Sequence, residues 1–165
     1  MKFGTKSEVN GSRLATSLTR RKALTATSTG IAAALALPSR ANAAEWTITE
    51  KANAQIVIDF CAAWPSHNLD KVMSFFAGNA AYRVSETQEP EKGKEAVRER
   101  IKSFLDRVKE FEILDTLAKG PMVFNERIDH FTNGPLKSWH GVGVFFLKEG
   151  RIVEWYDYTI ALDRA

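Results

Sequence analysis

The sequence predicts an α+β fold, in which a few helices pack against one antiparallel or mixed sheet. Apolar residues recur at helical spacing up to about residue 108, and apolar and polar residues alternate after it. Asn133-Gly134 and Glu149-Gly150 are hairpin turn signals between the alternating segments. We therefore expect two helices, a short strand, a third helix and then four strands in antiparallel succession.

The first two helices are predicted from their capping residues. Thr47 and Glu50 form a capping box, which begins a helix that Pro65 ends. The spacing of its apolar residues predicts a buried face that contains Ala52, Ile56, Phe60 and Ala63. Asn68 is the N-cap of a second, short helix that is expected to extend to Phe76.

The rest of the chain is predicted from the period of its apolar residues. Helical spacing predicts a third helix over residues 94–108. Alternation predicts strands over residues 80–85, 111–118, 122–132, 136–147 and 151–162.

Two of these strands carry charged residues that require an explanation. The stretch "NERIDHF" places Arg127 and Asp129 on one strand face, and "EWYDY" places Trp155 and Asp157 on another. Two carboxylates in a dry pocket cannot both stay ionised cheaply, whereas a shared arginine holds one charged while the other keeps its proton. Such a pair suits the one-step opening of an ether-like C–O bond by water. The alternative is a structural ion pair on the sheet surface.

Residues 1–43 have the order of an export signal. The basic cluster Arg20-Arg21-Lys22 precedes a weakly apolar stretch and then the small-residue cleavage site Ala41-Asn42-Ala43. Paired arginines favour the twin-arginine route, so we expect a periplasmic domain comprising residues 44–165. The apolar stretch over residues 23–37 is shorter than the roughly 20 residues that span a bilayer.

Removal of this segment reverses the sign of the net charge. Seven of the 23 basic residues and one of the 20 acidic residues precede Ala44, which leaves 16 basic and 19 acidic residues. This balance disfavours binding to nucleic acid or to an anionic membrane surface. Cys61 is the only cysteine, and the three histidines lack metal-ligand spacing, so neither a disulfide nor a metal site is expected.

The chain resembles the limonene-1,2-epoxide hydrolase family, within the superfamily of nuclear transport factor 2 and ketosteroid isomerase. The resemblance rests on Arg127-x-Asp129, on Trp155-x-Asp157 and on Tyr82 in "AAYRVSE". It implies a curved sheet with helices on its concave side around a conical pocket, and no cofactor. It also implies a small apolar epoxide as the ligand and a homodimer formed through the open sheet face.

The resemblance also implies a role for each of these residues. Asp157 would be the general base that activates water, and Asp129 the acid that protonates the epoxide oxygen. Arg127 would bridge the two carboxylates. Tyr82 would help to hold the water, and Trp155 would line the substrate pocket.

One position departs from the family pattern. The family has an asparagine two residues after the tyrosine, where this chain has Val84, which offers no side-chain hydrogen bond to water. Ser85 is expected to point to the other side of the strand.

An epoxide hydrolase is the leading interpretation of the sequence. The alternatives are a ketosteroid-isomerase-like or polyketide-cyclase-like enzyme, or a non-catalytic module that binds a small molecule.

Overall fold

The computed structural model describes residues 45–164, and the predicted export signal lies outside these residues. The described chain forms an α+β fold with one six-stranded mixed sheet, which confirms the predicted fold class. Its helices are α1 Ile48–Ala63, α2 Leu69–Met73 and α3 Lys94–Lys102, with 3-10 turns at Trp64–Ser66 and Leu105–Arg107. No helix within this part of the chain is long and apolar enough to cross a bilayer.

The strands form a sheet in which consecutive strands mostly lie side by side. They are β1 Phe76–Arg83, β2 Glu91–Lys92, β3 Val108–Lys119, β4 Met122–Phe131, β5 Leu136–Lys148 and β6 Arg151–Arg164. The spatial order is β2-β1-β6-β5-β4-β3, and only the β1–β6 pair is parallel. Because β5 lies between β4 and β6, the two strands that carry the predicted acids are next-nearest neighbours.

The start of α1 agrees with the prediction, and so does the burial of Phe60 and Ala63, but the burial of Ala52 does not. The Thr47 side chain accepts from the Glu50 amide, and the Glu50 carboxylate accepts from the Thr47 amide. The expectation that Ala52 is buried is wrong, because the buried line includes Ala54, Val57 and Cys61 instead. Apolar residues lie on most sides of this helix, so spacing alone does not select the face that meets the sheet.

Strand pairing shortens two of the predicted helices. Asn68 caps α2 as expected, but this helix ends at Met73, because Phe76 already pairs with Ile152 of β6. Helix α3 ends at Lys102, and β3 begins at Val108, where a helical residue was predicted. In both cases the hydrogen bonds of the sheet override the local helical pattern.

An aromatic cluster fills the core between α1 and the sheet. Phe60 lies at its centre, with its ring 5.1 Å from that of Trp155, and both side chains are buried. Trp64 packs edge-on against Phe60, with a centroid distance of 5.7 Å. This cluster packs against β6 and so fixes the position of the strand that carries Asp157.

Candidate active site

Arg127 joins the two predicted acids, as the sequence implies. Its Nε donates to Asp129 Oδ1 at 2.8 Å, and its Nη2 donates to Asp157 Oδ1 at 2.9 Å. All three side chains are buried, and the arginine is wholly inaccessible to solvent. A surface ion pair between Arg127 and Asp129, with Asp157 solvated, is therefore excluded.

Two glycines on β5 leave room on the inner face of the sheet, one for the arginine and one for a tryptophan ring. Gly141 pairs with Arg127, and Gly143 pairs with Asp157. A side chain at Gly143 would overlap with Arg127 Nη1, and one at Gly141 would overlap with the Trp139 ring. The pattern Gly-x-Gly therefore leaves a passage across the middle strand on the inner face of the sheet.

Aromatic rings enclose the guanidinium of Arg127. Its Cζ lies 4.9 Å from the ring centre of Phe111, 5.0 Å from that of Trp139 and 5.5 Å from that of Trp155. Burial lowers the pKa of Arg127, but the two flanking aspartates outweigh this effect and raise the pKa above its ordinary value. The site therefore contains a permanent cation surrounded by π-faces and two acids.

Asp157 has the richer set of hydrogen-bond donors. Its Oδ1 accepts from Trp155 Nε1 at 2.7 Å and from Arg127, and its Oδ2 accepts from the Tyr82 hydroxyl at 3.3 Å. Burial raises the pKa of Asp157, while these donors oppose the rise. Three donors favour the ionised form, so Asp157 is the member of the pair better suited to remain a carboxylate.

Within the described residues, Asp129 accepts side-chain hydrogen bonds from Arg127 alone. The contact of its Oδ2 with Arg127 Nη2 is long, at 3.5 Å. Burial raises the pKa of Asp129 from its ordinary value of 3.8 to about 7, although Arg127 lowers it. A single cation faces two buried acids, so one proton is retained by the pair near neutral pH, and Asp129 is the better place for it.

Both acids reach a cavity of about 340 Å³. A volume of this size suits a small organic molecule. Tyr82 contributes to the same wall as the acids, and the apolar lining consists of Val84, Phe104, Phe131, Leu136, Trp139 and Leu162. The polar lining consists of Ser85, Gln88, Arg100, Ser103, Arg107 and Thr159.

Two expectations about the lining need correction. Trp155 does not line this cavity. Its ring stacks on that of Tyr82 instead, with ring centres 3.9 Å apart. Ser85 lines the cavity together with Val84, although strict alternation would place them on opposite sides. Strand β1 ends at Arg83, so alternation no longer applies to the bend that follows.

Several residues of the site were not predicted from the sequence. Gly141 and Gly143 carry a readable signal, since two glycines spaced by two within a strand predict close approach by another group. Trp139 could also be inferred, because it shares the inner face of β5 with them. Arg107 carries no such signal, because its position depends on how the turn after α3 meets β4.

The raised pKa of Asp129 predicts how stability depends on pH. The folded-state pKa of about 7 lies above the ordinary value of 3.8. The contribution of the protonated acid is therefore fully present below about pH 4 and is lost as the pH rises through about 7. We expect the free energy of unfolding, measured by urea denaturation, to fall across this interval. Asp129→Asn should flatten the dependence, and an unchanged slope would contradict the assignment.

A methyl group at Gly143 should disrupt the passage for Arg127. Gly143→Ala would crowd Nη1 and the Phe145 ring, which is expected to lower the free energy of unfolding by about 1–3 kcal/mol. Gly78→Ala is the matched control, because a Cβ at this strand position meets nothing within 4 Å. Urea denaturation of both variants tests the argument, and equal stabilities would refute it.

A family model described as "SnoaL-like domain" matches residues 57–155. The match includes Tyr82, Arg127 and Asp129, and it ends two residues before Asp157. No curated protein matches the chain in sequence.

Solved structures provide the second comparison. An LEH-like epoxide hydrolase from M. tuberculosis is 26% identical, with a TM-score of 0.60, over 67% of this chain and 84% of that protein. The epoxide hydrolase/cyclase-like enzyme SalBIII, which acts in pyran ring formation in the polyether salinomycin, is 22% identical over 67% and 92%, with a TM-score of 0.61. A putative SnoaL-like polyketide cyclase from Jannaschia sp. CCS1 is 13% identical over 70% and 90%, with a TM-score of 0.60. The last two similarities concern the fold alone.

Proposed function

The chain belongs to the SnoaL-like domain family with a nuclear transport factor 2-like fold, and within this family we propose that it is an epoxide hydrolase. It would add water to a small, largely apolar epoxide and release a vicinal diol. The observation that carries the proposal is the single buried guanidinium that binds both Asp129 and Asp157 beside one cavity.

The two acids divide the reaction between them. The Asp157 carboxylate accepts a proton from water while the water oxygen attacks one oxirane carbon. The bond from that carbon to the oxirane oxygen breaks, and protonated Asp129 transfers its proton to this oxygen. The products are the diol, a protonated Asp157 and an ionised Asp129. The cycle closes when the proton returns from Asp157 to Asp129, directly or through solvent.

The environment of each acid supports this assignment. Asp157 receives three donors, which favour the charged form that a base requires. The pKa of Asp129, raised to about 7, lies near the value that is useful for an acid at neutral pH. Tyr82 keeps its phenolic proton, since burial raises its pKa well above the ordinary value, and so it donates to Asp157 or to a water between them.

A second candidate is a module that binds a small molecule without hydrolysing it. Val84 favours this candidate, because it lines the cavity where the epoxide hydrolases have an asparagine that holds the water. Ser85 and Gln88 are polar side chains of the same wall, and they provide other partners for a water molecule.

A panel of epoxides, incubated with the purified protein and analysed for diols, tests the proposal. We expect diol formation from at least one apolar epoxide, and Val84→Asn should raise its rate if water positioning is limiting. Val84→Thr is the comparison variant, because threonine matches valine in size and adds a hydroxyl, whereas asparagine adds an amide. If wild type, Val84→Asn and Asp157→Asn all give no diol, the hydrolase is refuted, and the isomerase-like or cyclase-like enzyme and the binding module are the remaining alternatives.

A further inference from the structure

Arg107 places an unmatched positive charge on the wall of the cavity. It is half-buried there, at the end of the 3-10 turn Leu105–Arg107. Among residues 45–164, no carboxylate forms an ion pair with it. Arg100, the other arginine of the lining, is already engaged, because its Nη2 binds Glu91 Oε1 at 2.8 Å.

Main-chain hydrogen bonds tie Arg107, a lining residue of the cavity, to the chain just after β4. Its carbonyl accepts from the Thr132 amide at 2.8 Å and from the Thr132 hydroxyl at 3.3 Å. Its guanidinium lies against Gly134, where a Cβ would be 3.0 Å from Nη1. Asp129 lies in β4 and Thr132 follows the last residue of this strand, so up to roughly 10 Å of chain separates the two positions. The backbone of Arg107 is therefore fixed just beyond the end of β4, three residues along the chain from Asp129.

The charges of the site show what this arginine can recognise. Asp129 and Asp157 already have Arg127 as their counter-ion, so the charge of Arg107 is not needed to balance these two acids. The wall also carries Phe131 and Trp139, which suit an apolar molecular body. A guanidinium matches a carboxylate in shape and charge. A phosphate dianion would call for a second unpaired cation, and Arg100 is occupied.

We propose that the cavity binds molecules with an apolar body and a terminal carboxylate, and that Arg107 holds this carboxylate. The inference rests on the proposed function in one respect, which is that the oxirane of the same molecule reacts beside Asp129 and Asp157. Arg107 is then a residue that determines specificity and does not take part in the chemistry.

A matched pair of epoxides tests the inference. Para-carboxystyrene oxide and its methyl ester share one skeleton and differ in charge. Wild type should have a KM for the acid that is about 10-fold lower than for the ester, because one charge-assisted contact is made only by the acid. Arg107→Gln should remove this preference by raising KM for the acid toward that for the ester, and Arg107→Lys should keep part of it. Lys102→Gln, an exposed charge removed from α3, is the control and should resemble wild type.

Each result decides between the two proposals. Turnover of both epoxides without preference for the acid, or a preference that survives in Arg107→Gln, overturns the role of Arg107 and leaves the hydrolase standing. If neither epoxide is hydrolysed, calorimetric titration with para-ethylbenzoate and its methyl ester replaces kinetics. Tighter binding of the benzoate, lost in Arg107→Gln, then supports the carboxylate site independently of the hydrolase. Equal binding overturns the role of Arg107, and the epoxide panel alone decides on the hydrolase. Thermal unfolding of each variant checks that it is folded.

Discussion

Asp157→Asn should lower the rate of diol formation by about 10²–10⁴-fold, the range for loss of one acid–base group. The amide preserves the size of the side chain but cannot accept the proton of the attacking water. Asp129→Asn should cause a loss in the same range, because an amide does not protonate the leaving oxygen. Single-turnover measurement of diol formation, on an epoxide that wild type hydrolyses, provides the comparison.

The double variant distinguishes shared chemistry from independent effects. Both groups act in one step, so the losses of the two single variants should not multiply. Asp163→Asn is the matched control, since this aspartate lies on the same strand, β6, but is exposed. A hydrolysis rate for Asp157→Asn equal to that of Asp163→Asn would remove Asp157 from the mechanism.

Arg127→Met should lower the free energy of unfolding by about 3–5 kcal/mol, because it leaves two buried acids without their counter-ion. Methionine fills a similar volume and keeps contact with the surrounding rings, so loss of packing is limited. The loss should be smaller at acid pH, where both carboxyls are protonated. Urea denaturation at pH values below and above about 7 measures the difference.

Two comparison variants make this prediction specific to buried charge. Arg98→Met removes the half-buried partner of the exposed Asp70 and should change stability by less than about 1 kcal/mol. Adding Asp129→Asn and Asp157→Asn to Arg127→Met removes every charge of the cluster and should restore part of the lost stability. If the triple variant is no more stable than Arg127→Met alone, the loss is due to packing and not to unpaired carboxylates.

Helix and strand types were predictable, whereas their ends were less so. The alternation that predicted β4 and β5 follows from burial of one face of each strand, which leaves a period of two in the sequence. The start of β1 at Phe76 could not be predicted in this way, because Gly78 and Asn79 are both exposed and interrupt the alternation. Its parallel pairing with β6 depends on a partner that is distant in sequence, as does the two-residue strand β2.

That Arg127 and Asp129 share a face of one strand, and Trp155 and Asp157 a face of another, follows from the order of the residues alone. This is a consequence of strand geometry, which fixes the direction of residues two apart. That the two faces meet across β5 depends on tertiary contacts, because strand order is set by the packing of whole elements. Tertiary contacts likewise place Trp155 against the Tyr82 ring and Arg107 on the wall of the cavity. Contacts between distant segments decide such positions, and local periodicity does not record them.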